Sequence, residues 1–179
     1  FEVHHTDDGE AEELTGITVT YHSNYPDGST EDTAAETGLN RNEEFTAKGA
    51  DTFTCAGYVL SAWNTAADGS GYQFDLGAAL FADKLSSNDL YAVWEPANDV
   101  EYTVYHVRQD TDGTWPELTD TTLVETEVLN NGTTGQSATA TNRSYTGFYV
   151  DTEKTGTQNT GTVLADGSLV LYVYYARNT

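Results

Sequence analysis

Three tryptophans, four histidines, three lysines and one cysteine are the side chains of this 179-residue chain best suited to chemistry. Trp115 follows the Asp112-Gly113 turn and precedes Pro116, a setting that predicts an aromatic ring at a loop tip. An exposed indole beside carboxylates can stack on a sugar ring. A tip aromatic also packs on neighbouring structure, and packing is the favoured reading. Asn131, in Asn130-Asn131-Gly132, is expected at a second loop tip, and Trp115 with Asn131 form the candidate ligand-binding set. Trp63 and Trp94 close alternating segments that also hold Tyr58 and Tyr91, so core and cross-strand packing is expected of them ahead of sugar stacking.

Lys84, in Phe81-Ala82-Asp83-Lys84-Leu85, is the candidate for a lysine–asparagine crosslink. That chemistry needs an amine desolvated enough to be neutral, and a solvated lysine is the ordinary alternative. Asp110-x-Asp112-Gly113 has the opening of a calcium loop, but Trp115 and Thr121 stand where glycine and a bidentate glutamate are required. A turn explains these residues. Carboxylates scattered over the surface leave a structural calcium ion open without indicating one, and no other cofactor is indicated. His4, His5, His22 and His106 lack zinc-ligand spacing, and His22 and His106 are expected on surface positions of corresponding strands. Cys55 is expected to be a small buried residue. The order of residues singles out no nucleophile or acid/base pair, so the chain reads as a non-enzyme.

Twenty-nine acidic residues against seven basic ones give a formal charge of −22. Duplex DNA carries about one negative charge per 1.7 Å, so nucleic acid is excluded as a partner, and an anionic membrane would repel the chain too. No apolar run approaches the roughly 20 residues of a spanning helix, so membrane insertion is not expected. A single cysteine forbids an internal disulfide. The acidic, lysine-poor, threonine-rich composition leans toward an exported protein, and like charge would keep copies apart on a crowded exterior. The chain opens on Phe1 and ends in a strand, and both ends read as cut from something longer.

Alternation is the dominant pattern. Ile17–Tyr21, Glu44–Ala47, Tyr58–Trp63, Tyr72–Leu76 and Leu90–Trp94 read as strands of one domain. Tyr102–Val107, Leu123–Leu129, Ser137–Ala140, Gly147–Val150 and Leu169–Tyr175 read as strands of another. The polar stretch Ser29–Glu44 is expected to hold a short helix near Glu31–Thr37 or to form a long connection. Glu95-Pro96-Ala97-Asn98-Asp99 marks the boundary, because proline cannot donate to a ladder. The division is therefore 1–16 as a linker or the end of an earlier module, 17–95 as the first domain, 96–99 as linker and 100–179 as the second. The fold class is mainly β, α+β at most.

Gly57-Tyr58, Trp63-Asn64-Thr65, Asp68-Gly69-Ser70-Gly71 and Leu90-Tyr91-Ala92-Val93-Trp94 together resemble the Listeria–Bacteroides repeat of bacterial surface proteins, with Ala62 where the family usually has glycine. Residues 100–177 more loosely resemble a mucin-binding-protein-like repeat, through Tyr102-Thr103-Val104-Tyr105, Gly132-Thr133-Thr134-Gly135, Tyr145-Thr146-Gly147-Phe148 and Val170–Tyr175. The resemblance implies two tandem β-grasp-like modules in an elongated arrangement, within a wall-attached protein of Gram-positive type. It implies a stalk or spacer with adhesive contacts, whose partners are neighbouring repeats and a host glycan or surface protein. The alternative is a dedicated glycan- or protein-binding adhesin domain that uses exposed loop tips. The family brings no catalytic residues.

Overall fold

Alternating side chains become an almost wholly β molecule in the computed structural model, which describes residues 15–178. Among these the sole helical element is one 3-10 turn, Ala82–Lys84. Most of the expected linker 1–16, with His4 and His5, lies outside the described residues. The chain groups into two units, one holding the chain up to Phe53 together with Leu60–Trp94, the other Thr54–Val59 together with the chain from Glu95 onward.

The first unit is built on a five-stranded sheet of order β2-β1-β7-β4-β5. Its strands are β1 (Thr15–His22), β2 (Thr33–Asn40), β4 (Tyr58–Asn64), β5 (Gln73–Asp75) and β7 (Asp89–Pro96). A separate short pair, β3 (Glu44–Thr46) and β6 (Ala79–Phe81), contributes Phe45 and Leu80 to the core. Val19 and Tyr21 project from one face of β1, since successive side chains on a strand alternate, and meet Trp63, Leu60 and Leu90. Trp63 is fully buried, with its ring edge-on to Tyr21 at 4.7 Å and to Phe53 at 6.0 Å. Its indole N–H donates to the Lys48 carbonyl at 2.8 Å, so no buried donor is left over. Trp94 is half-buried and donates to the Ser23 carbonyl at 2.7 Å. Both rings thus pack against the core of the first unit.

No helix forms near Glu31–Thr37. Thr33–Asn40 is β2, an edge strand antiparallel to β1 with Tyr21 opposite Ala34 and Val19 opposite Glu36. A polar, helix-compatible stretch is recruited because β1 presents a row of ladder groups on that side, and pairing outweighs a weak local preference.

In the second unit a four-stranded sheet has the order β11-β13-β8-β9. It comprises β8 (Val100–Arg108), β9 (Val124–Gly132), β11 (Phe148–Val150) and β13 (Val170–Arg177), beside a short pair, β10 (Ser137–Thr139) with β12 (Thr160–Thr162). Tyr102 and Val104 of β8 and Leu171, Val173 and Tyr175 of β13 form its core with Val163. Gly57 belongs to this unit. Its carbonyl accepts the Ala97 N–H at 2.9 Å and the Thr134 hydroxyl at 2.6 Å. Its φ is +71°, and a Cβ there would come within 2.5 Å of the Ala165 backbone, so only glycine fits.

One plan underlies both sheets. The first strand pairs antiparallel with the next and parallel with the last: β1 with β2 and β7, β8 with β9 and β13. The parallel ladder runs from Thr20 opposite Asp89 to His22 opposite Tyr91 in the first unit. In the second it is longer, from Thr103 opposite Val170 to Arg108 opposite Tyr175. A parallel partner can be reached only by a long crossover, so each unit is closed by its own last strand.

Candidate functional site

Among the described residues, a dense set of titratable side chains lies in the second unit. Val100, Tyr102, Val104 and His106 alternate onto the core face of β8, so His106 is fully buried rather than at the surface as expected. Its Nδ1 lies 2.9 Å from the Tyr175 hydroxyl and its Nε2 3.4 Å from Glu127. The Tyr175 oxygen already accepts the Arg143 backbone N–H at 2.9 Å. Its own proton therefore goes to Nδ1, which leaves Nε2–H to donate to Glu127. Burial holds the His106 pKa below 6.5, against the opposing pull of the Glu127 carboxylate. The imidazole is neutral.

Arg143 neutralises the two acids that β9 turns toward this histidine. Nη1 binds Glu125 at 2.5 Å and Nη2 binds Glu127 at 3.4 Å. Arg108 approaches Glu125 at 3.8 Å, donates to the Thr122 carbonyl at 2.7 Å and lies over the Tyr145 ring at 4.8 Å. Burial would raise Glu125, but the hydrogen bonds and charge of Arg143 outweigh it and leave the carboxyl below its usual range. Burial first, then the neighbouring Glu125 charge, pushes the Tyr145 phenol up to about 12. The Tyr145 hydroxyl faces Glu125 without closing a well-formed hydrogen bond. Every other member is tied to a neighbour, and the network ties β8, β9 and β13 to the chain at 143–145. Its chemistry is cohesion: a neutral imidazole and phenols held protonated, with carboxylates compensated by guanidinium. Only the alternation around Val104 could have pointed to His106, and it was masked because Thr103-Tyr105-Val107 on the other face is nearly as apolar.

The candidate ligand-binding residues are not neighbours. Trp115 is half-buried against its own sheet, edge-on to Tyr174 at 5.1 Å, with Lys154 Nζ 5.4 Å from its ring and 4.6 Å from that of Tyr174. Asn131 is exposed, but it lies inside β9 and not on a loop tip, because the ladder continues until Gly132 faces Val100. Tyr174 sits opposite Val107, at the other end of β8. Seven strand residues, roughly 23 Å, therefore separate the two positions. Lys84 is exposed on the 3-10 turn, with its ammonium 4.7 Å from the Phe81 ring centre, and it lines a shallow hollow of about 370 Å³ with Tyr72, Phe74 and Ser86. That amine is solvated, the reverse of what a crosslink requires. Cys55 is half-buried in the turn bridged to Tyr58 and stands outside both cores, contrary to the expectation of a buried thiol.

Turn aspartates repeat one local device. Asp68, Asp112, Asp120 and Asp166 each accept, on Oδ1, the backbone N–H and the hydroxyl of the Ser or Thr two residues on. Those hydroxyl bonds first, and the backbone bonds next, lower all four carboxyls. In the Asp110–Thr114 turn Gly113 takes φ +84° and Asp112 Oδ1 accepts both Thr114 bonds, so a turn accounts for these residues. No family model matches the chain, and no curated protein matches it in sequence.

Proposed function

We propose that this chain is a load-bearing spacer segment of an extracellular bacterial surface protein, one of a series of repeats that hold a distal part away from the wall. The single observation that carries the reading is the parallel pairing of first and last strands in each unit. In such a pair the incoming end of the first strand and the outgoing end of the last lie at opposite ends of the ladder. Tension along the chain therefore loads all the ladder hydrogen bonds in shear at once, instead of opening them one by one. The acidic, disulfide-free composition and the resemblance to Listeria–Bacteroides and mucin-binding-protein-like repeats support the same reading. Enzymatic turnover is not part of it, since the most concentrated titratable groups serve as internal cross-braces.

Single-molecule stretching tests the proposal. Two unfolding events are expected, and the second unit, with its longer parallel ladder, should yield at the higher force; resistance to forced unfolding is set by the unfolding rate. Extension without force peaks would reject the load-bearing role. The adhesin alternative finds less support at its original residues, because Trp115 is packed and Asn131 belongs to a strand.

A further inference from the structure

We propose that the hollow where the Ser23–Asp32 and Thr65–Tyr72 connections meet the end of β7 is a subsite for a neutral pyranose sugar, stacked on Tyr25 and Trp94 and hydrogen-bonded to Asp68. The hollow measures about 340 Å³, at the small end of ligand sites, and its lining includes Asn24, Tyr25, Ala67, Asp68, Ala92 and Trp94.

Its walls are fixed in advance. The Trp94 indole N–H is held by the Ser23 carbonyl, and the Tyr25 hydroxyl donates to Asp32 at 2.9 Å. Asn24 adopts φ +44°, a left-handed conformation that is uncommon away from glycine. Its amide ties the two loops to the sheet, donating to the Ala67 carbonyl at 3.0 Å and to the Ala92 carbonyl at 3.1 Å. Strained backbone fastened by two bonds is the way a protein sets a rigid binding surface.

The chemistry of the surface selects the ligand. The Tyr25 and Trp94 rings lie 5.8 Å apart at 34°. Insertion between them would need roughly 7 Å, two contacts of about 3.5 Å, so a ligand lies against the rings and not between them. That suits the C–H face of a sugar and fails a quaternary ammonium, which wants aromatic faces that enclose it. Asp68 receives Ser70 on Oδ1 alone, and its carboxylate, kept ionised by that bond, accepts ligand hydroxyls. The same carboxylate and the −22 charge reject sialylated or sulfated sugars.

The test is a chemical-shift titration of the whole isotope-labelled chain with chitotriose, maltotriose and cellotriose, and with 3′-sialyllactose and choline for comparison. At least one neutral trisaccharide should give saturable shifts at Tyr25, Asp68 and the Trp94 indole N–H, with a Kd on the order of 1 mM. Trp94→Ala should weaken it about tenfold. Because Trp94 also packs, Asp68→Asn provides a second variant: it should weaken binding severalfold at an unchanged denaturation midpoint, while Trp115→Ala leaves the affinity as it was. Absence of saturable shifts with all three neutral sugars, preference for choline or sialyllactose, or shifts centred on Trp115 would overturn the proposal. Those results leave the spacer reading untouched, since force and not ligand decides it.

Discussion

Tyr21 in the first unit and His106 in the second occupy the same place: core face, near the end of the strand that pairs with both its neighbour and the last strand of its sheet. Tyr21 reaches across its core so that its hydroxyl accepts the Lys48 N–H at 3.3 Å, and its ring packs on Trp63. His106 instead anchors a network of two acids, two arginines and two tyrosines. The described histidine of the first unit, His22, stands one residue later, on the opposite face. It stacks on Tyr91 and lies 2.9 Å from Asp89 and 3.3 Å from Glu31, the second contact being off hydrogen-bond geometry. One position along a strand turns a histidine–carboxylate contact at the rim into a buried, neutral brace. The first unit is held by an aromatic centre, the second by a polar one inside the same strand plan.

The largest effect that separates them should come from Trp63→Ala. Removing this fully buried ring costs about 3–5 kcal/mol, and in a denaturation experiment the transition of the first unit should shift or vanish while that of the second survives. Loss of both transitions together would mean that the units do not fold as separate cooperative blocks. Trp115→Ala should cost the second unit about 1–3 kcal/mol, from lost apolar burial and the edge-on contact with Tyr174, as read from the same curves.

Acid should discriminate between the units further. His106 has a folded pKa below 6.5, so the unfolded chain takes up the proton first. The associated stability is present above pH 6.5 and is lost as the pH falls through it toward the folded value, with a slope of at most about 1.4 kcal/mol per pH unit, the limit for one proton. Stability of the second unit measured from pH 8 to 5 should show this decline, and His106→Phe should flatten it. Arg143→Ala is a smaller perturbation, about 1 kcal/mol or less at pH 7, because its ion pairs are partly solvated. Glu125 has a depressed pKa, so that contribution exists above pH 4.5 and disappears as the pH drops through the folded value, below which the variant and parent should converge. Asn131→Ala should change the second unit by no more than about 0.5 kcal/mol in denaturant titration.

Strands with one clearly apolar face were legible in the sequence. Leu90-Tyr91-Ala92-Val93-Trp94 and Leu169–Tyr175 announce themselves by alternation, and the Asp-Gly turns by their side-chain chemistry. β2 was not legible, because Thr33–Asn40 is polar with small residues and becomes a strand only beside β1. In Tyr102–Val107 both faces are apolar enough to serve as core, so the inward orientation of His106 depends on Tyr175 and Glu127, distant in the chain. Asn131 looked like a turn residue from Asn130-Asn131-Gly132, but the shifted register between Val100 and Tyr102 extends the ladder to include it. Of the proposed sugar subsite, Trp94 stood out in the sequence as a strand-closing aromatic and Asp68 as a turn residue. Tyr25 and Asp68 join it through non-local loop packing held by Asn24.

A sheet closed by its own last strand has a consequence for biosynthesis. β8 cannot complete its ladder until β13 has been made, and Val170 follows Val100 by 70 residues (170 − 100). At roughly 5–20 residues per second, translation leaves β8 waiting roughly 4–14 s for its partner. Meanwhile the β8 edge that β13 will cover stays unpaired, while β9, an edge strand in the finished sheet as well, carries Glu125 and Glu127, charges that discourage pairing of its outer edge with a neighbouring copy.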